Sequence, residues 1–175
     1  MVGKLALALA HKIKKATPEE STSEEVLAYS LSIQLNGIAI IVSSLIIGLI
    51  TGKGCDTLIA LVSFSLLRFA SGGWHAKTMT TCYWLSTIII SLIPHLQIDK
   101  SLLLYLSIVS FLLVVIYAPR SKEENNIPRS ALPYLKIVSV IIVCIGFYLD
   151  NTVVNLALFV QALTLIPALE RRCQP

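Results

Sequence analysis

Charge is what this sequence has least of. Only 14% of its 175 residues are charged, against roughly 25% in ordinary soluble domains, while 55% are apolar. Mean hydropathy is +0.79. A water-soluble fold of this length cannot hide that much apolar surface, and a disordered chain does not carry it, so both classes are excluded. The net charge of +4 is too small and too scattered for a nucleic-acid binder. Cysteine is scarce too. Cys55, Cys82, Cys144 and Cys173 form no CxxC pair, which argues against a disulfide scaffold or a structural zinc site. His11, His75 and His95 lie far apart in sequence and no HExxH occurs, so neither a metal nor a cofactor is expected. The short apolar run Leu5 to Ala10 is followed by His11, Lys12, Lys14 and Lys15, the wrong charge order for a cleaved signal peptide.

What the sequence has is apolar runs. Residues 4–16 place Leu5, Leu9 and Ile13 on one helical stripe with the lysines mostly off it, the pattern of an amphipathic helix lying in the headgroup region. A polar acidic break follows, in which Thr17-Pro18-Glu19-Glu20 and Ser23 carry helix-start signals. Six apolar runs come next, at about 26–50, 57–71, 81–96, 101–118, 134–149 and 152–169. Several are shorter than the roughly 20 residues a straight span prefers, and the second is the shortest, at about 15 residues or ~22 Å of helix. These features predict an all-α, polytopic membrane bundle of about six transmembrane or partly re-entrant helices plus the N-terminal interfacial helix. The expected organisation is one integral-membrane domain over 1–175, with the interfacial segment at 1–22, the bundle at 23–170 and a cytoplasmic loop at 119–133.

The distribution of positive charge sets the orientation. With the N-terminus in the cytoplasm, twelve of the 14 basic residues fall inside: Lys4, Lys12, Lys14, Lys15, Arg68, Lys77, Arg120, Lys122, Arg129, Lys136, Arg171 and Arg172. Only Lys53 and Lys100 fall outside. The bias favours an even number of spans, with both termini and the stretch 68–82 on the cytoplasmic side. Trp74 and Trp84 fit an aromatic belt at the same depth.

Chemistry concentrates in that stretch, which runs from Arg68 through Gly72, Gly73, Trp74 and His75 to Cys82 and Ser86. A nucleophilic cysteine needs a base within about 2.6–3.2 Å. Residues i and i+7 of one unbroken helix sit about 10.5 Å apart along its axis, too far for direct contact. The glycine pair can break the helix, and Thr78, Thr80 and Thr81 can each cap a new one. A helix starting there puts Cys82 in its first turn, where the dipole favours the thiolate, and leaves His75 on a loop able to fold back. The plainer readings are that Cys82 is a small apolar residue, that Arg68 snorkels, and that Ser86 only packs between helices. No third member of a triad is visible: Gln34, Asn36, Asn155 and Gln161 interrupt apolar runs and any could turn inward, but interhelical glue is the plainer reading of each.

The string Arg68-x-x-x-Gly72-Gly73-x-His75-Ala76 followed by Cys82 resembles the signature of the AgrB family, the accessory gene regulator B proteins of Gram-positive bacteria. Length, multi-span character, the basic N-terminus, Ala118-Pro119, Asn126 and Pro128 agree with it. The resemblance implies a membrane-embedded cysteine endopeptidase of the bacterial cell membrane that matures a quorum-sensing propeptide of the AgrD type. Cys82 would be the nucleophile and His75 its general base, releasing the C-terminal tail through a thioester that the propeptide's own cysteine or serine closes into a (thio)lactone. The resemblance further implies a homodimer. Arg68 would hold a substrate carboxylate or the oxyanion, and Gly72, Gly73 and Ser86 would support the site. Arg120, Lys122, Arg129 and Lys136 would attract the substrate's acidic tail. The expected partners are thus the AgrD-type propeptide, the lipid bilayer and a second copy, with no nucleic acid. The alternative is a small membrane peptide transporter or exporter subunit without peptidase activity, Arg68 and His75 lining a polar path.

Overall fold

The computed structural model describes residues 2–16, 23–73, 78–120 and 129–167. Seven α-helices are present among them: α1 (Val2–Ala16), α2 (Glu24–Ile50), α3 (Gly54–Ser71), α4 (Met79–Leu92), α5 (Lys100–Tyr117), α6 (Leu132–Leu149) and α7 (Thr152–Leu163). Local sequence explains most of the boundaries. Ser23 caps α2, its Oγ accepting from the Val26 N–H at 3.3 Å, with Glu24 and Glu25 in the positive first turn. Asn151 caps α7 by accepting from the N–H groups of Val153 (2.9 Å) and Val154 (3.2 Å). Pro133 begins α6, where its missing N–H costs nothing. Pro94 tightens the end of α4 into a 3-10 turn over Ile93–His95.

The helices pack around α7. It contacts α3, α5 and α6, and its residues Asn155, Leu156, Ala157, Leu158, Gln161 and Ala162 are all buried. One apolar cluster joins Leu67, Val114, Val143, Leu158 and Ala162; a second joins Ala60, Leu61, Ile90, Ile93 and Leu156. On the far side of α3, α2 packs against both α3 and α4. The amphipathic α1 lies along α2, with Ala6 and Ala10 fully buried at the contact and His11 Nδ1 3.3 Å from Glu24 Oε1.

Four helices, α2, α3, α5 and α6, are long and apolar enough to cross a membrane. Their hydrophobic windows are only 17–33% buried inside the bundle, so most of their apolar surface points outward and needs lipid to cover it. This is an all-α membrane bundle. One expectation is corrected: the second apolar run does not form the shortest helix. α3 recruits Gly54, Cys55 and Asp56 to reach 18 residues, about 27 Å at 1.5 Å per residue. Asp56 lowers the hydropathy there, yet an acidic side chain is favourable in a first turn, and it pairs with Lys53 at 3.5 Å. The shortest is α7, with 12 residues. Surrounded by other helices, it does not have to match the thickness of the bilayer by itself.

Candidate functional site

The site forms where the end of α3, the start of α4 and the end of α7 converge. Thr78 is the N-cap of α4: its Oγ1 accepts from the Thr81 N–H at 3.1 Å, and its carbonyl accepts from the Cys82 N–H at 3.0 Å. Cys82 therefore closes the first turn, within reach of the partial positive charge at the helix N-terminus. Its half-buried side chain lines a narrow pocket of about 50 Å³ with Phe64, Arg68, Ser86 and Thr164. Ser86, one turn further along α4, shares that pocket.

Arg68 turns inward rather than snorkelling. Its Nη1 donates to Gln161 Oε1 at 3.3 Å, and its guanidinium lies 5.9 Å from the centroid of the Phe64 ring. The other end of the Gln161 amide fixes the chain just beyond α3. Gln161 Nε2 donates to the Gly72 carbonyl at 2.7 Å, with Ser71 Oγ at 3.4 Å. A single fully buried carboxamide on α7 thus holds both the arginine and the turn that leads toward His75.

That turn needs its two glycines. Gly72 has φ +69° and Gly73 φ +132°, the left-handed half of backbone space that side chains disfavour. A Cβ on Gly72 would strike the carbonyl oxygen of Arg120, and one on Gly73 would strike Thr164 Oγ1. The close approach to residue 120 is itself structural: Arg120 N–H donates to the Ser71 carbonyl at 2.8 Å, and residues 72 and 120 form an isolated bridge. The Ala118-Pro119 bond just before it is cis.

Of the residues expected from sequence, Arg68, Cys82 and Ser86 are brought together, with Gly72 and Gly73 shaping the exit from α3. Arg120 is held close by, but its Nη1 donates to the Leu165 carbonyl at 2.7 Å, tying the start of the 119–133 loop to the end of α7. Lys136 is exposed on α6 and lines neither cavity that contains Cys82. His75, Lys122 and the side chain of Arg129 lie outside the described residues, as do Trp74, Arg171 and Arg172. Gln161 and Thr164 were not singled out for the site. A glutamine in an apolar run was the available signal, but its partners lie about 90 positions earlier and only the fold reveals them.

Comparison with known proteins finds a family and relatives. Residues 6–169 match the family described as accessory gene regulator B. The chain is similar to the accessory gene regulator protein B of Staphylococcus aureus strain bovine RF122 / ET3-1, at 31% identity across 63% of this chain and 65% of that protein. The proteins of the same name from strains MW2 and MRSA252 are 30% identical over the same shares. The chain therefore spans about 65% of the length of these curated relatives. No solved structure matches it.

Proposed function

Because this chain belongs to the accessory gene regulator B family, we propose that it is a membrane-embedded cysteine endopeptidase that matures a quorum-sensing propeptide of the AgrD type. The observation that carries this reading is Cys82 in the first turn of α4, lining one pocket with the inward-turned Arg68. The start of α4 and the Arg68 guanidinium put positive charge beside the sulfur that must attack. Embedding the charge of Arg68 in a span costs about 2.5–3.5 kcal/mol at the bilayer centre, less near its edge, and such a residue needs a purpose.

In the proposed reaction His75 takes the Cys82 proton as the sulfur attacks the carbonyl of the scissile amide. The S–C bond forms, negative charge collects on the oxygen, and Arg68 stabilises it. The C–N bond then breaks, and the departing amine of the C-terminal tail takes the proton from His75. The acyl-enzyme is a thioester on Cys82. The propeptide's own thiol or hydroxyl attacks it, the acyl group moves to that atom and closes the ring, and Cys82 recovers its proton. Water must be kept out during the second step, and the apolar walls given by Phe64, Leu85 and Ile89 suit that need.

The remaining expectations belong to the same proposal. The chain acts as one membrane domain and as a homodimer, with its termini and Cys82 facing the cytoplasm. Lys122, Arg129 and Lys136 attract the acidic tail. The test is co-expression with a candidate propeptide. Cys82→Ala and His75→Ala should each abolish tail release, while an exporter without peptidase activity would leave cleavage unchanged in both.

A further inference from the structure

A second and larger space also reaches Cys82. It lies between α2, α3 and α4, encloses about 320 Å³, and shares Phe64, Arg68, Cys82 and Ser86 with the narrow pocket. Its remaining walls are mostly apolar, with Ser65 of α3 and Asn36 of α2 as the polar members, and packing does not explain Asn36 or its neighbour Gly37. Asn36 is only 5% exposed and lines this groove, yet no hydrogen bond reaches its side chain among the described residues. Its amide atoms are not sealed off but open onto the groove, where a purely apolar filling would leave them unpaired at a cost. Beside it, Gly37 sits inside the unbroken 27-residue α2, at a position where helix propensity disfavours glycine. An added Cβ there would meet nothing within 4 Å, so no neighbouring helix requires the gap.

We propose that this groove binds an extended apolar peptide segment, the acyl side of the scissile bond, and that the Asn36 side chain hydrogen-bonds its backbone amide. The inference rests on the cysteine-peptidase reading of Cys82. A carboxamide offers one acceptor and two donors, the complement of a peptide group. Gly37 leaves the room that a passing backbone requires, and Cys82 lines the same groove, beside the place where the carbonyl under attack must lie. The volume falls within the ~300–1,000 Å³ of ordinary ligand sites. A lipid chain fits apolar walls equally well but would leave Asn36 unpaired, whereas a peptide satisfies both.

The probe is an N-acetylated alanyl-leucyl-phenylalanyl chloromethyl ketone, which alkylates Cys82 only after its peptide part is seated; iodoacetamide, too small to use the groove, is the control. Modification of Cys82 in the full-length protein is followed by mass spectrometry. The expected result is saturable alkylation by the peptide reagent. Asn36→Leu and Gly37→Leu should each raise its half-saturation about tenfold, with the iodoacetamide rate unchanged. Gly37→Leu replaces a residue of low helix propensity, so its thermal midpoint should equal or exceed wild type, separating a blocked groove from misfolding. Methylating the peptide's backbone nitrogens should weaken binding to wild type but not further weaken binding to Asn36→Leu. Half-saturation unchanged in both variants, with normal iodoacetamide reactivity, overturns the groove assignment alone and leaves the space to lipid. A wild-type Cys82 inert to both reagents overturns the peptidase reading and this inference with it.

Discussion

Gln161 offers the sharpest test of how the site is held together. Replacing it with methionine keeps the length and nearly the volume of the side chain while deleting its amide. Three contacts go at once: the 2.7 Å donation to the Gly72 carbonyl, the 3.4 Å contact with Ser71 Oγ, and the 3.3 Å bond from Arg68. A neutral hydrogen bond contributes about 0.5–1.5 kcal/mol net, and one to a charged group about 1.5–3 kcal/mol. The Ser71 contact is too long to add much, and the Arg68 bond is long enough for the lower end of its range. Gln161→Met should therefore destabilise the protein by about 2–3 kcal/mol. At roughly 2–4 °C per kcal/mol for a chain of this size, the thermal midpoint in detergent should fall by about 4–12 °C. The same variant loosens the turn after α3 and removes one anchor of the Arg68 side chain, so tail release should fall more than binding does. Differential scanning fluorimetry together with single-turnover cleavage of the propeptide reads both effects. A midpoint within about 1 °C of wild type, with full cleavage, would refute the role assigned to this carboxamide.

Other outcomes follow from the same geometry. Gly72→Ala puts a Cβ into the Arg120 carbonyl at a strained φ, and should cost about 1–3 kcal/mol; a full-length protein melting like wild type would contradict it. Thr78→Ala removes the cap of α4 and should cost about 0.5–2 kcal/mol, while Thr78→Ser should restore the midpoint; equal melting of all three proteins would count against the cap. Reversing Lys122, Arg129 and Lys136 together should raise KM for the propeptide and flatten its salt dependence without lowering kcat. An unchanged KM removes the loop from substrate capture. Arg120 is left out of that set because reversing it would also break its bond to the Leu165 carbonyl.

What could be read from sequence was whatever is encoded locally. Ser23 and the threonines at 78, 80 and 81 announce helix starts because a cap uses a side chain to satisfy nearby N–H groups; Ser23 caps α2, and of the three threonines Thr78 caps α4. The glycine pair marks a break because few other residues tolerate positive φ, and α3 ends there. Hydropathy misjudged α3 by counting Asp56 against the helix whose first turn it favours. It also overextended the last run: α7 ends at Leu163 and gives way to a turn before Pro167, whereas the apolar composition continues. The partners of Arg68 were illegible for a different reason. Gln161 looks no different from Gln34, which is exposed on α2; only the packing of α7 against α3 makes one structural and leaves the other outside. Asn36 likewise reads as interhelical glue, until the fold leaves it facing a groove without a partner.

The most direct measurement is the intact mass of the protein after rapid mixing with its propeptide and acid quenching. A thioester on Cys82 predicts added mass equal to the propeptide minus its C-terminal tail and one water, removable by hydroxylamine and missing from Cys82→Ala and His75→Ala. Tail release that persists in Cys82→Ala, with no adduct at any time point in wild type, would contradict the account.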